Sequence, residues 1–471
     1  MSARLRSRLT WQEVGAPEAP AKAAAVERFG LPKPRQTAVF DTPMAPRERA
    51  VALLHLGSEV EHALMVEYLY AAYSLNECQE TEHRRNLVKR WRAMVLEIAR
   101  EEMGHLASVQ NMLTLIGGPL CFEREDYPII DPNLWPFPFE LEPLTKDSLG
   151  KYVLTEAPSD EVLAKLHLTD EIDQIKRRLK KDEALTVNRV GALYGDILEL
   201  FTAGPMIQGP IVPGVDVHPF VATVDIQADS LPFQVDPSAW GLGYKEILIE
   251  VASDRPGALD ALSKVSIQGE GPLTADDKHL PAEFDKSHFG RFLAIYREFP
   301  EQSDWSPARP VATNPSTNPH VSNKPHRLIV GQAAPWAALA NLRYRMLLLY
   351  LQHSFYVETP SLHPTRSPRG ALVSWTFGEM YNIRSLSEIV MGMPLQPGSS
   401  LMAGPPFEQP YTLELSPRSA NRWRAHRDLL MASIELIDKM LTPGQAQERY
   451  LRALRSADKT ALDQIEVLIG A

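Results

Sequence analysis

Cysteine is almost missing from this chain. Cys78 and Cys121 are the only two among 471 residues, too few for a disulfide framework, so a reducing, cytoplasmic setting is expected. Long apolar runs are missing as well: none approaches the roughly 18 residues that a membrane-spanning helix needs, and no membrane partner is expected. Residues 1–20 hold Arg4, Arg6 and Arg8 with no apolar stretch behind them, so no secretory signal is read there. Positive charge is in deficit. The net charge of −10 disfavours a phosphate backbone, and no basic stripe with interleaved aromatics offsets it, so nucleic acid is not an expected partner. Nucleotide and hydrolase signatures are absent too. There is no Walker loop and no Ser/His/Asp arrangement, and Gly241-Leu-Gly243 lacks the third glycine and following helix of a dinucleotide fingerprint.

What is present is an ordinary soluble composition, 44% hydrophobic and 23% charged, in a chain long enough for two or three domains. Proline is the unusual component. Its 39 copies gather between segments of helical period, where they mark turns and ordered loops rather than helix interiors. No internal repeat of fixed period occurs.

The organisation reads as a Pro- and charge-rich arm over 1–45 that wraps the surface or frays, then a helical core over 46–300. A Pro-rich linker over 301–327 follows, and a C-terminal helical region over 328–471 is expected to pack on the core. Leu53, Leu56, Val60, Leu64 and Tyr68 recur at helical spacing from Pro46 to about Asn76. A second helix opens near Thr81 and stops at Gly117-Gly118-Pro119, which makes a hairpin with the first. The insertion 119–245 is Pro-punctuated; a helix is expected over 184–201, and 204–243 suggests short strands or extended loop. Helices follow at 256–270 and 282–299, then at about 333–357, 374–392, 418–442 and 445–469.

A pair of metal ions in a helix bundle requires one Glu from each of two helices and a Glu-x-x-His from each of two others. The spacing of three puts both side chains on one helix face. Glu102-Met-Gly-His105 supplies the first such pair. With the turn centred near Thr81 and a rise of about 1.5 Å per residue, residue 102 stands opposite residue 60 or 61, and Glu61 is there. In the second half Glu270 ends one helix, and Asp285-Lys-Ser-His288 opens the next with Asp in place of Glu. The candidate metal ligands are therefore Glu61, Glu102, His105, Glu270, Asp285 and His288, with Glu61, Glu102 and Glu270 as the carboxylates expected to take part in catalysis. Glu59-x-x-His62 competes on the same helix. Glu80-x-x-His83 and Asp276-x-x-His279 fall in expected turns and read as solvated. Glu67, Glu97 and Glu101 lie near the candidates, as ligand-supporting or exposed groups.

These motifs, taken together, resemble a known family. Val60-Glu-His-Ala-Leu-Met-Val-Glu-Tyr-Leu-Tyr-Ala-Ala-Tyr-Ser74, Glu101-Glu-Met-Gly-His-Leu-Ala-Ser-Val-Gln-Asn111, Gln268-Gly-Glu-Gly271, Ser287-His-Phe-Gly-Arg-Phe292 and Ala403-Gly-Pro-Pro-Phe-Glu408 are similar to the ferritin-like domain of iminophenyl-pyruvate dimer synthases. Those proteins act in bacterial bisindole pigment pathways. The resemblance covers residues 48 to 410 with gaps and favours Glu61 over Glu59. It implies a mainly α fold: a ferritin-like four-helix bundle core with long Pro-rich insertions and extra C-terminal helices.

The expected function is an oxygen-dependent non-haem di-iron oxidase or oxygenase, with two iron ions or, from the same hard O/N ligand set, manganese. Its partners would be dioxygen and a small molecule such as an amino-acid-derived imine or amine, with room for a homo-oligomer or a pathway partner enzyme. Trp135, Phe137, Phe139, Tyr194 and Trp375 are candidate pocket aromatics, and Arg291 and Arg384 candidate partners for a substrate carboxylate. A ferroxidase or iron-handling protein, and a non-catalytic helical binding module, are the alternatives.

Overall fold

A computed structural model describes residues 7–13, 36–130, 137–180, 189–202, 221–236, 247–270, 284–301, 305–357, 368–409, 411 and 414–470. The chain divides into two compact units, the first made of residues 1–139, 144–237 and 241–308, the second of 140–143, 238–240 and 309–471.

The first unit opens with β1 (Leu9–Glu13) paired antiparallel to β2 (Gln36–Phe40), from Leu9 opposite Phe40 to Glu13 opposite Gln36. The Ala38 backbone N–H donates to buried Asp196 at 2.6 Å, so this part of the expected arm is a tied-down ribbon instead of a frayed end. Next come α1 (Pro46–Ser74) and α2 (Glu82–Leu115). Pro46 stands at the start of α1, where its missing N–H costs nothing. The Thr81 hydroxyl accepts from the Arg84 N–H at 3.2 Å to cap α2, and Gly117, at φ +63°, ends it. Twenty-three of the 29 residues of α1 are buried. It is therefore a central helix, apolar nearly all round, and the ionisable groups it carries inward need partners.

Within the insertion, Ile129 and Phe139 form an isolated antiparallel bridge. Three short helices follow, α3 (Lys146–Thr155), α4 (Asp160–Lys165) and α5 (Thr169–Arg178). Then come α6 (Arg189–Phe201) and α7 (Arg255–Glu270). Where strands or extended loop were expected over 204–243, the described residues hold two short 3₁₀ turns, Thr223–Asp225 and Ala228–Phe233. Residues 204–220 and 237–243 of that stretch, and the loop 271–283, lie outside the described residues.

The last helix of the unit, α8, spans His288–Glu298, starting six residues later than the expected 282. Ser287 is its cap, accepting from the Gly290 N–H at 3.1 Å. A Cβ at Gly290 would stand 2.0 Å from the Phe284 carbonyl oxygen, so this glycine permits the tight turn before the helix. The α1–α2 hairpin packs through α1 on α6 and through α2 on α7 and α8; α7 also meets α6 and α8, and α3 packs on α8.

The second unit is built from α9 (Ala333–Ser354), α10 (Pro368–Val390), α11 (Ser419–Met440) and α12 (Glu448–Gly470). Residues 309–327, expected as linker, are an ordered part of it. Ala312, Asn314 and Ser316 are buried, and their backbone N–H groups donate to Met402, Leu141 and Arg327 carbonyls at 2.8–2.9 Å. Inside this unit the buried Arg343 guanidinium pairs with both Glu379 and Asp458 at 2.8 Å. Among the described residues no helix is long and apolar enough to cross a membrane.

Candidate metal centre

The α1–α2 hairpin places Glu61 level with the Glu102–His105 pair, as the rise per residue requires. His105 Nδ1 lies 3.0 Å from Glu102 Oε2 and 3.4 Å from Glu61 Oε2. From the opposite side, His288 at the first turn of α8 brings its Nδ1 to 2.8 Å from Glu102 Oε1. The two imidazoles stack with centroids 5.3 Å apart. Glu102 thus stands between two histidines, one oxygen toward each.

A third carboxylate joins them. Glu156, the residue that ends α3, places Oε2 3.8 Å from His288 Nδ1. Glu61, Glu102, His105, Glu156 and His288 are all buried, none more than 3% exposed. Glu61, Glu102, His105 and Glu156 line a cavity together with Leu64, Val190, Tyr194, Val265, Ser266 and Gly269, with free space of about 10 Å³, close to one water-sized sphere.

The far nitrogen of each ring is held. His105 Nε2 meets Gln268 Oε1 at 2.9 Å, and His288 Nε2 meets Glu101 Oε2 at 3.0 Å. Glu101 in turn accepts from the Arg291 guanidinium. When the far nitrogen of each ring donates to these oxygens, Nδ1 is left as the lone-pair atom facing the cluster. The Tyr194 hydroxyl donates to Glu61 Oε1, and the Tyr68 hydroxyl to Glu156 Oε1.

The protonation equilibria reflect crowded negative charge. Burial, followed by the nearby Glu102, pushes Glu61 up to about 8 and Glu156 up to about 7. Burial would also raise Glu102, but facing His288 and His105 holds it well below the usual carboxylate range. Burial opposes the charged form of both histidines. The surrounding carboxylates outweigh it, bringing His288 up to about 9 and His105 well above its ordinary value. Positive charge is what this cluster lacks.

The arrangement fits a cation better than a hydrogen-bonded core. Glu102 Oε1 and His288 Nδ1 approach off the hydrogen-bonding direction, and neither has another hydrogen-bond partner. Two facing buried atoms left in that state are rare without an ion between them. Donor atoms of Glu102, His105 and His288 all lie within 4.8 Å of one another, close enough to hold metal. Two imidazoles with several carboxylates make a mixed O/N donor set suited to iron or manganese.

Of the six residues singled out in the sequence, the fold brings Glu61, Glu102, His105 and His288 together. The Glu270 side chain lies outside the described residues, although Ser266 and Gly269 of the same helix line the cavity. Asp285 is not brought in. It is exposed in the turn ahead of the Ser287 cap, and a spacing of three aligns side chains only where both residues are helical. Glu59 and His62 are buried, but on another side of α1: His62 meets the Phe122 backbone beside Arg124. Glu101 supports His288, and Glu97 lies 3.9 Å from Arg291. Arg291 and Arg384 are engaged within the protein, with Glu101 and Glu388 respectively. Tyr194 lines the cavity, Phe137 and Phe139 are buried, Trp375 packs on Tyr350 in the second unit, and Trp135 lies outside the described residues. Sequence reasoning missed Glu156 because it carries no motif. The only hint was the Thr145–Ser148 capping box, which opens a helix that ends at this residue.

The family model for ferritin-like proteins matches residues 54–297, the span that holds every member of the cluster. A dichlorochromopyrrolate synthase from Lentzea aerocolonigenes is 26% identical over 399 residues, which cover 78% of this chain and 36% of the synthase. The chain thus spans little more than a third of that relative's length. A crystal structure of a ferritin-like protein from Caulobacter vibrioides, 16% identical, aligns over 73% of this chain and 97% of its own with a TM-score of 0.40.

Proposed function

The chain belongs to the ferritin-like family, and from that premise we propose that it is a non-haem di-iron oxidase or oxygenase that uses dioxygen on a small organic molecule. The observation that carries this reading is Glu102, with one oxygen directed at His105 and the other at His288. A carboxylate so placed could serve two metal ions, one from each oxygen. Glu61, Glu102 and His105 would hold one, and Glu102, Glu156 and His288 the other, with Glu270 as a further candidate from the end of α7. Bound iron supplies one-electron redox change and the activation of dioxygen.

The remaining work belongs to the protein's own groups. Gln268 and the Glu101–Arg291 pair aim the imidazoles, Tyr194 and Tyr68 steady the outer carboxylates, and Leu64, Val190 and Val265 exclude water from the cluster. Kinship with a dichlorochromopyrrolate synthase supports a substrate from secondary metabolism, and an amino-acid-derived imine or amine is the class to try first.

The test is dioxygen consumption by protein loaded anaerobically with ferrous iron, with and without a panel of aromatic amino acids, their imines and amines. Substrate-dependent uptake with a new organic product is expected. Uptake that tracks ferrous iron alone, with ferric mineral accumulating, would replace the oxygenase with an iron-handling protein. No uptake by the loaded protein under any condition leaves only a binding module.

A further inference from the structure

Both outer carboxylates of the cluster are held in the same way. Glu61 turns Oε2 toward His105 Nδ1 at 3.4 Å, while its Oε1 accepts from the Tyr194 hydroxyl. Glu156 turns Oε2 toward His288 Nδ1 at 3.8 Å, while its Oε1 accepts from the Tyr68 hydroxyl. The tyrosines come from different helices, α6 and α1, and both are buried. Tyr68 is wedged against Tyr152 and Phe292, with ring centroids 4.9 and 4.8 Å away, which keeps its hydroxyl on Glu156. Glu102, between them, accepts from neither tyrosine, and its two oxygens face the two imidazoles.

A buried carboxylate needs a partner, and a tyrosine is one way to supply it. That need does not dictate which oxygen is engaged. At both ends of the cluster it is the oxygen turned away from the histidine, so that each outer carboxylate turns inward a single oxygen not tied to a tyrosine. A carboxylate with both oxygens free can chelate one ion and fill two of its positions; one with an oxygen tied to a buried hydroxyl fills one.

Resting on the di-metal reading, we infer that Tyr194 and Tyr68 are positioning residues that keep Glu61 and Glu156 as one-oxygen ligands. Each thereby leaves a coordination position of its metal ion open to an incoming molecule. The two tyrosines act through the carboxylates and do not themselves bind metal.

Cobalt(II) is the probe, because its visible absorption is strong at low coordination number and weak at six. Wild type, Tyr194→Phe, Tyr68→Phe and the double variant are titrated with cobalt(II) under argon, and the melting temperature of each metal-free protein is recorded. Two cobalt ions per chain in all four, with absorption per ion falling several-fold in the variants, is the expected result. Azide, a small anion that enters open positions, should perturb the wild-type spectrum and have little effect on the double variant. Matching spectra and azide responses in wild type and the double variant overturn the inference while leaving the di-metal reading intact. A phenolate-to-iron charge-transfer band in the ferric wild type, lost in either variant, overturns it by making the tyrosine a ligand. Failure of the wild type to bind cobalt removes both readings together. If one variant does not fold, the other single variant decides, because each tyrosine serves its own carboxylate.

Discussion

Glu102 Oε1 stands 2.8 Å from His288 Nδ1 while Glu102 Oε2 stands 3.0 Å from His105 Nδ1, so one carboxylate joins two histidines from different helices. The outer carboxylates do not share this position: Glu61 lies on the His105 side and Glu156 on the His288 side. Their loss should therefore differ from the loss of Glu102. Glu61→Ala and Glu156→Ala should each retain one ion tightly and lose or weaken the other. Metal analysis after reconstitution and desalting checks this, and full retention of both ions by either variant would remove that residue from the ligand set.

Protons compete with metal for the same atoms. In metal-free protein the histidines, raised above 6.5, contribute stability that is present below pH 6.5 and lost as pH rises through about 9 for His288. Glu61 and Glu156, raised to about 8 and about 7, also hold protons that the unfolded chain has already released, so their effect has the same direction. Glu101 and Glu102, both lowered, act only on the acid side, where their stabilisation is lost as pH falls. Metal-free protein should thus lose stability between pH 6.5 and 9, while metal affinity rises over that window and binding releases protons. Thermal melts with and without manganese(II) across the range test the sign. A metal-induced rise in Tm that shrinks toward pH 9 would contradict it.

Glu101 is the only described carboxylate that meets His288 Nε2, and Arg291 anchors it. Replacing it by Ala frees the ring without touching the atom that faces the cluster. Metal affinity should fall by roughly 10-fold or more with stoichiometry preserved, the usual scale for a group that orients a histidine ligand. Competitive chelator titration measures this, and an unchanged affinity would mean that packing alone orients the ring.

Gly104 lies inside the Glu102–His105 pair for a steric reason. A Cβ there would stand 2.4 Å from the Leu248 carbonyl oxygen and 2.7 Å from Ile247, where residues 247–252 run along α2. Ser108 and Asn111 fasten the same segment, the Ser108 hydroxyl accepting from the Glu250 N–H and the Asn111 amide donating to the Glu250 carbonyl. Gly104→Ala should cost about 1–3 kcal/mol of stability through overpacking against backbone that cannot retreat. Urea denaturation gives the figure, and a loss below a few tenths would show that the segment shifts freely.

The α1–α2 hairpin was legible in the sequence because its signals are local: helical period, the Thr81 cap and the Gly117 stop. Register followed from rise per residue, which is why Glu61 could be set against Glu102 before any fold was known. Asp285 failed on a different ground. The spacing of three was right and the helix was not, since Ser287 caps α8 and leaves Asp285 outside it. Glu156 carries no motif, and neither the helical spacing of Tyr68 nor the aromatic character of Tyr194 signalled that their hydroxyls meet the carboxylates. They are brought to the cluster by the tertiary path of α3, α1 and α6, and the Pro-punctuated insertion hid where α3 would end. The β1–β2 ribbon was missed because its pairing spans 22 intervening residues, from Glu13 to Gln36, with no turn signal that sets the register.

The most direct measurement is iron per chain in protein reconstituted anaerobically with ferrous iron, with Glu102→Ala and His288→Ala prepared alongside. About two irons per wild-type chain, magnetically coupled in the oxidised state, and loss of that coupled pair in both variants are expected, because in the proposed di-iron centre Glu102 would serve both ions and His288 would face one of them. Wild-type protein that binds no iron, or variants that bind two coupled irons as the wild type does, would contradict a di-iron centre at this cluster.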